Sequence, residues 1–151
     1  MPSAPNIPVK VSQSPSLIKI SWNIPNDGGS ILLGYVVFSD GGISSFAPLS
    51  PTITNGLTVN YSITAADYGI APGVVYQFRV VAYNIIGDSS PSPSIAIMAA
   101  TIPDAPINLV QIASSSVSIT FGWSAPVYNG GTSITDYKVY WNEGIDYNPF
   151  V

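Results

Sequence analysis

The stretch VVYQFRVVAYNIIG, residues 74–87, decides the fold. Counting by twos from Tyr76 gives Phe78, Val80, Ala82 and then Asn84, an apolar face with a polar end. Successive side chains of a β-strand point to opposite sides of its sheet, so this alternation is that of a half-buried strand. The other face carries Gln77, Arg79, Val81 and Tyr83, and Arg79 is the only arginine in the chain. Just upstream, Ile70-Ala71-Pro72-Gly73 forms a turn whose proline and glycine stop one strand and aim the next.

On either side the same alternation recurs in short runs separated by turn residues. Strands are predicted over residues 6–12, 17–23, 32–37, 45–49, 57–64 and 94–100. Ile18, Ile20 and Trp22 share one face of the second of these, and Val59, Tyr61 and Ile63 one face of the fifth. The prolines of the first suit an edge strand. Pro25-Asn26-Asp27-Gly28-Gly29 and Asp40-Gly41-Gly42 are turn clusters.

The chain also repeats itself. Pro2-Ser3-Ala4-Pro5 returns as Pro103-Asp104-Ala105-Pro106, and Trp22-Asn23-Ile24-Pro25 as Trp123-Ser124-Ala125-Pro126, both 101 residues on. Gly28-Gly29 returns as Gly130-Gly131 and Tyr35 as Tyr137, 102 residues on after a single insertion. A repeat of this length is a whole module rather than a solenoid unit.

An apolar residue six before a tyrosine, with Pro-Gly between, resembles the tyrosine corner of a Greek-key β-sandwich, in which the hydroxyl bonds back to the backbone at the strand's entry. With Trp22, Tyr35 and the series from Tyr76 to Asn84, residues 2–101 resemble a fibronectin type III domain. The resemblance implies an all-β fold: tandem immunoglobulin-like sandwiches of Greek-key topology, with one module over residues 1–101 and the first three strands of a second over residues 102–151. It also implies Trp22, Tyr35 and Tyr76 as core residues of the first copy and Trp123 and Tyr137 as their counterparts in the second.

In the second copy, strands are expected over residues 107–113, through Ile119, Phe121 and Trp123, and through Ile134, Tyr137, Val139 and Trp141. The large side chains of the last two would face a sheet whose strands do not follow in these 151 residues. Each forfeits about 1.5–3 kcal/mol of burial, so such a half-sandwich is not expected to fold alone. The sequence is therefore expected to be a slice of a longer array, or to have its second core completed by another chain. The linker around Thr101-Ile102-Pro103-Asp104 is short and contains proline, so a semi-rigid, rod-like arrangement is expected.

Composition narrows the function. Charged residues make up 8% of the chain, against about 25% in an ordinary soluble domain. The net charge of −4 leaves no basic footprint for nucleic acid or anionic lipid. The mean hydropathy of +0.35 is high, yet the apolar runs at residues 31–38 and 95–102 are far too short to span a bilayer and read as buried strands. Low charge with high apolarity suits a surface that neighbours cover. There is no cysteine and no histidine, which removes disulfides, thiol nucleophiles and the commonest general base. No catalytic residue and no cofactor is expected. Asp27, Asp40, Asp88 and Glu143 sit beside glycine or serine, where carboxylates organise turns. Calcium between modules would use Asp27 and Asp104, but no Asp-x-Asp pattern supports it. No apolar leader segment follows Met1.

The candidate sites are few. Asn60-Tyr61-Ser62 is the only N-glycosylation sequon, and the alternation turns Asn60 outward. The loop from Asn84 to Ser90 lacks the Arg-Gly-Asp used for integrin adhesion in this family, but carries the apolar pair Ile85-Ile86. That pair is expected either to tuck onto its own sandwich or to contact a neighbouring domain or subunit, together with Ile24 in one copy and Val127 and Tyr128 in the other. Such loops gather at one end of a sandwich. The expected role is a non-catalytic structural or adhesive segment of a multi-domain extracellular or cell-surface protein, contacting other protein domains or copies of itself, within a filament if it self-assembles. The alternatives are a spacer or sugar-contacting module appended to an enzyme, with Tyr83 or Tyr128 as platform, and an intracellular cytoskeletal scaffold.

Overall fold

The structure is a computed structural model, and it describes residues 1–141. Two sheets of the first copy face each other. One contains β1 (Val9–Ser14), β2 (Leu17–Ser21) and β5 (Asn60–Thr64), in the order β1-β2-β5. The other contains β3 (Gly34–Ser39), β4 (Ala47–Pro48), β6 (Val75–Asn84), β7 (Gly87–Asp88) and β8 (Ile95–Met98). Here β6 lies between β3 on one edge and β7 and β8 on the other. The paired strands are antiparallel.

The inner faces meet as the alternation requires. Ile18, Ile20, Trp22, Tyr61 and Ile63 from one sheet pack against Tyr35, Val37, Tyr76, Phe78, Val80 and Ile97 from the other. At the entry to β6 the Tyr76 hydroxyl accepts the Ala71 N–H at 2.8 Å, which is the corner expected from Ile70 to Tyr76. Between β7 and β8 the chain leaves the ladder, and serine hydroxyls supply the missing acceptors. Val80 N–H donates to Ser92 Oγ at 2.9 Å and Ala82 N–H to Ser89 Oγ at 3.0 Å, so no buried donor of β6 is stranded there.

Several boundaries differ from the sequence reading. Pro8, expected inside the first strand, precedes β1 and, like Pro5, is fully buried. Ile31 and Leu33, expected in a buried run, lie before β3 and are exposed, as is Leu57 before β5. The apolar run continues beyond the paired strand, and only pairing ends a strand; Leu33 keeps one bond, its N–H donating to the Tyr83 carbonyl at 2.9 Å. A four-residue helix, α1 (Ala65–Tyr68), follows β5; the Thr64 hydroxyl accepts the Asp67 N–H at 3.2 Å, and Gly69 closes it in the left-handed conformation.

The second copy forms one hairpin, β9 (Ile107–Ser114) with β10 (Ile119–Ser124). The third strand expected through Ile134, Tyr137, Val139 and Trp141 does not form. Its counterpart β3 is held by β4 on one edge and β6 on the other. The described part of the second copy supplies no equivalent of either. Trp123 and Tyr137, expected as core residues, are consequently exposed. Glu143 lies outside the described residues.

Candidate interaction surface

Two features of the first copy build its upper end. Tyr83 pairs with Asp88 and Asn84 with Gly87, so the β6–β7 connection is a two-residue hairpin whose tip is Ile85-Ile86. The positive φ of this turn falls on Gly87, at +139°, so the two isoleucines sit at the tip without left-handed strain. Neither isoleucine tucks inward: Ile85 is 77% exposed and Ile86 61%.

Asn84 then joins this tip to the loop between β2 and β3. Its buried side chain donates from Nδ2 to the Asp27 carbonyl at 2.8 Å and to the Ser30 carbonyl at 2.9 Å. Its Oδ1 accepts the Ile86 N–H at 2.9 Å. One amide thus fixes both loops, using three of its four hydrogen-bonding positions. Ile24 and Ile31, both exposed, belong to the loop so held. Met1 reaches the same end, since a Cβ on Gly87 would lie 3.5 Å from its Sδ. Sequence reading missed Ile31, because the apolar run that follows it disguises a loop residue as a strand residue.

Val127 and Tyr128 are also exposed, but in the second copy's loop, so they do not share an end with Ile24, Ile85 and Ile86. Asn60 is exposed at the start of β5, opposite Ser21. Tyr83 is half-buried and its hydroxyl donates to the Ile53 carbonyl at 3.2 Å, so it and Tyr128 form no joint platform. Arg79 lies over the Phe46 ring at 4.1 Å and the Phe38 ring at 5.5 Å on the outer face of its sheet.

The carboxylates organise turns. Asp27 Oδ1 accepts the Gly29 N–H at 2.8 Å, and Asp40 Oδ1 accepts the N–H groups of Gly42 and Gln77, each at 2.9 Å. Among the described residues, no three His, Cys, Asp or Glu side chains group so as to hold a metal. No helix among them is long and apolar enough to cross a membrane. Burial raises the Tyr61 phenol well above its ordinary value, helped by the Tyr68 hydroxyl 2.6 Å away, and burial raises Tyr35 as well.

The second copy presents an open apolar groove of about 1080 Å³, lined by Leu109, Phe121, Trp123, Tyr137, Val139 and Trp141 among others. Its polar rim is sparse.

Comparison with known proteins agrees with this architecture. The model of the fibronectin type III domain matches residues 2–98. A Kelch domain-containing protein of Saccharolobus solfataricus is 36% identical over 88 residues, covering 58% of this chain and 11% of the relative. The human netrin receptor DCC is 30% identical over 149 residues, covering 95% of this chain and 10% of the receptor. The chain thus spans about a tenth of the length of the curated relatives it matches. Among solved structures, titin domains A168–A170 superpose with a TM-score of 0.56 at 22% identity, covering 66% of this chain and 32% of that one. With its matched corner, its two facing sheets and its repeat, the chain belongs to the fibronectin type III family.

Proposed function

We propose that the chain is a non-catalytic structural and adhesive segment of a multi-domain protein, a semi-rigid rod whose upper end makes apolar contacts with other domains or with copies of itself. The observation that carries this reading is the exposed Ile85-Ile86 pair at a hairpin tip, gathered by Asn84 to one end with the exposed Ile24 and Ile31. An apolar cluster open to solvent marks a contact surface. The low charge of the chain extends the same theme. Ile24 belongs to the same contact, and Val127 and Tyr128 make the corresponding contact of the second copy.

On this reading the groove of the second copy is the inner face of a sandwich, covered by strands of the same kind as β5, β6 and β8, from its own chain or another. The protein acts outside the cell or on its surface, with a glycan on the exposed Asn60, opposite Ser21 at the end of β2. Replacing Ile85 and Ile86 by serine weakens assembly while leaving the melting temperature in place. Unchanged assembly by light scattering would remove the proposal, and mass spectrometry finding only bare asparagine at position 60 in native material would remove the glycan.

A further inference from the structure

The loop between the second and third strand positions is built alike in both copies. Gly29 N–H donates to Asp27 Oδ1 at 2.8 Å, and Gly131 N–H to Asn129 Oδ1 at 3.0 Å. Ser3 N–H donates to the Asn26 carbonyl at 2.9 Å, and Asp104 N–H to the Tyr128 carbonyl at 3.0 Å. Gly29 and Gly131 have φ of +86° and +93°. Their surroundings are opposite. A Cβ on Gly29 would meet nothing within 4 Å, whereas one on Gly131 would lie 3.1 Å from Pro72 Cβ and 3.2 Å from Pro15 Cγ. In return, a Cβ on Gly73 would lie 2.9 Å from the Gly131 carbonyl oxygen.

Burial follows the same division. Gly28 is exposed and Pro25 half-buried in the first copy, while Gly130 and Pro126 are buried in the second. Elsewhere the second copy is the more exposed of the two, so burial of this one loop needs a cause outside its own hairpin. For Gly131 the cause is the lower end of the first copy, the Pro15 turn and the Pro72-Gly73 corner; for Gly130 it is the linker at Thr101 and Ile102.

The linker is fastened on both sides. Gln13 Nε2 donates to the Ala100 carbonyl at 3.1 Å, and Gly73 N–H to the Ala99 carbonyl at 2.9 Å. Thr101 N–H then donates to the Gly130 carbonyl at 2.9 Å. Modules in one chain move relative to one another unless a contact holds them.

We infer that the Gly130-Gly131 turn is a docking face for the proline–glycine corner of the preceding module, and that Pro15, Pro72, Gly73 and Gly131 together fix the angle between the two copies. Two prolines present rigid rings, and two glycines let the backbones approach to a distance no side chain permits. Gly131 is a positioning residue for the joint. This inference rests on the reading of the chain as a tandem rod, and its test is separate from that of the apolar end.

The chain contains no cysteine, so Ser62→Cys in β5 and Thr120→Cys in β10 place one spin label on each copy of the full 151-residue chain. Electron–electron double resonance should give one narrow distance peak. Adding Gly131→Ala should spread it into a broad distribution. Adding Gly29→Ala, which strains an equivalent turn outside the joint, should leave it narrow. Pro15→Gly, which removes a ring without forcing a left-handed residue, should broaden it as well. A broad peak in the parent chain, no response to Gly131→Ala, or equal broadening from both alanines would overturn the joint. Assembly through Ile85 and Ile86 would be unaffected by that result.

Discussion

Trp123 stands edge-on to Tyr137, ring centroids 5.4 Å apart and planes at 65°, as Trp22 stands to Tyr35 at 5.3 Å and 66°. The same pair is thus set in both copies. In the first it is sealed, with Trp22 4% and Tyr35 0% exposed; in the second the rings are 36% and 38% exposed. The second pair keeps its edge-to-face contact but not its burial, because the described part of the second copy has no counterparts of β5, β6 and β8 to complete the two sheets.

This difference is measurable by fluorescence. In the 151-residue chain, Trp123 and Trp141 should be quenched efficiently by acrylamide and Trp22 hardly at all. A variant with Trp123→Phe and Trp141→Phe should therefore lose most of its quenching and shift its emission to the blue. Equal quenching of all three tryptophans would contradict the exposures.

The tyrosine corner should be worth its hydrogen bond. Tyr76→Phe keeps the ring packed beside Phe78 but leaves the Ala71 N–H without its acceptor. Urea unfolding should show a loss of about 1–2 kcal/mol. In a domain of this size each kcal/mol is about 4–8 °C of melting temperature. No change would mean that water replaces the hydroxyl.

Asn84→Ala should cost more, about 3 kcal/mol, since three hydrogen bonds break around a buried site. It should also release the loop carrying Ile24 and Ile31. Hydrogen exchange at Gly28, Gly29 and Ile86 would report that release, and unaltered exchange would contradict the bridging role.

Alkali should unfold the first copy. Tyr61 and Tyr35 have folded-state pKa values raised above the unfolded value of about 10. The neutral phenol is the form the fold favours, so their contribution is complete below pH 10 and falls as the pH rises past it. Absorbance at the phenolate band should show Tyr35 and Tyr61 titrating only together with loss of the folded signal. Titration of these two in a chain that stays folded would contradict this.

The strand at residues 74–84, its corner and the repeat were legible because each depends on near neighbours or on identity at a fixed offset. The ends of β3 and β5 were not, since apolar alternation runs through Ile31 and Leu57 although no strand pairs there. Thr64 with Asp67 three residues on was a visible cap for α1, hidden by its place at the end of a strong strand pattern. The third strand of the second copy is indicated by the return of Tyr35 as Tyr137 and by the alternation through Val139 and Trp141, yet it does not form, for want of partners on its edges. The joint at Gly131 joins residues 15, 72 and 131, a coincidence of three distant segments that no local pattern encodes. The matched glycine pairs marked the turn but not its contact. The apolar end was half legible: Ile85-Ile86 was visible as an oddity, but the amide of Asn84 that gathers the two loops emerges only in three dimensions.

A dilution series followed by amide NMR shows whether Ile24, Ile85 and Ile86 form a protein-contact end. Raising the concentration of the full chain should move the amide signals of Ile24, Ile85, Ile86 and their loop neighbours. Ile85→Ser with Ile86→Ser should abolish those shifts while changing stability by no more than about 0.5 kcal/mol. Signals at that end that stay fixed to the highest concentration, or shifts confined to the Trp123–Trp141 groove, would contradict it.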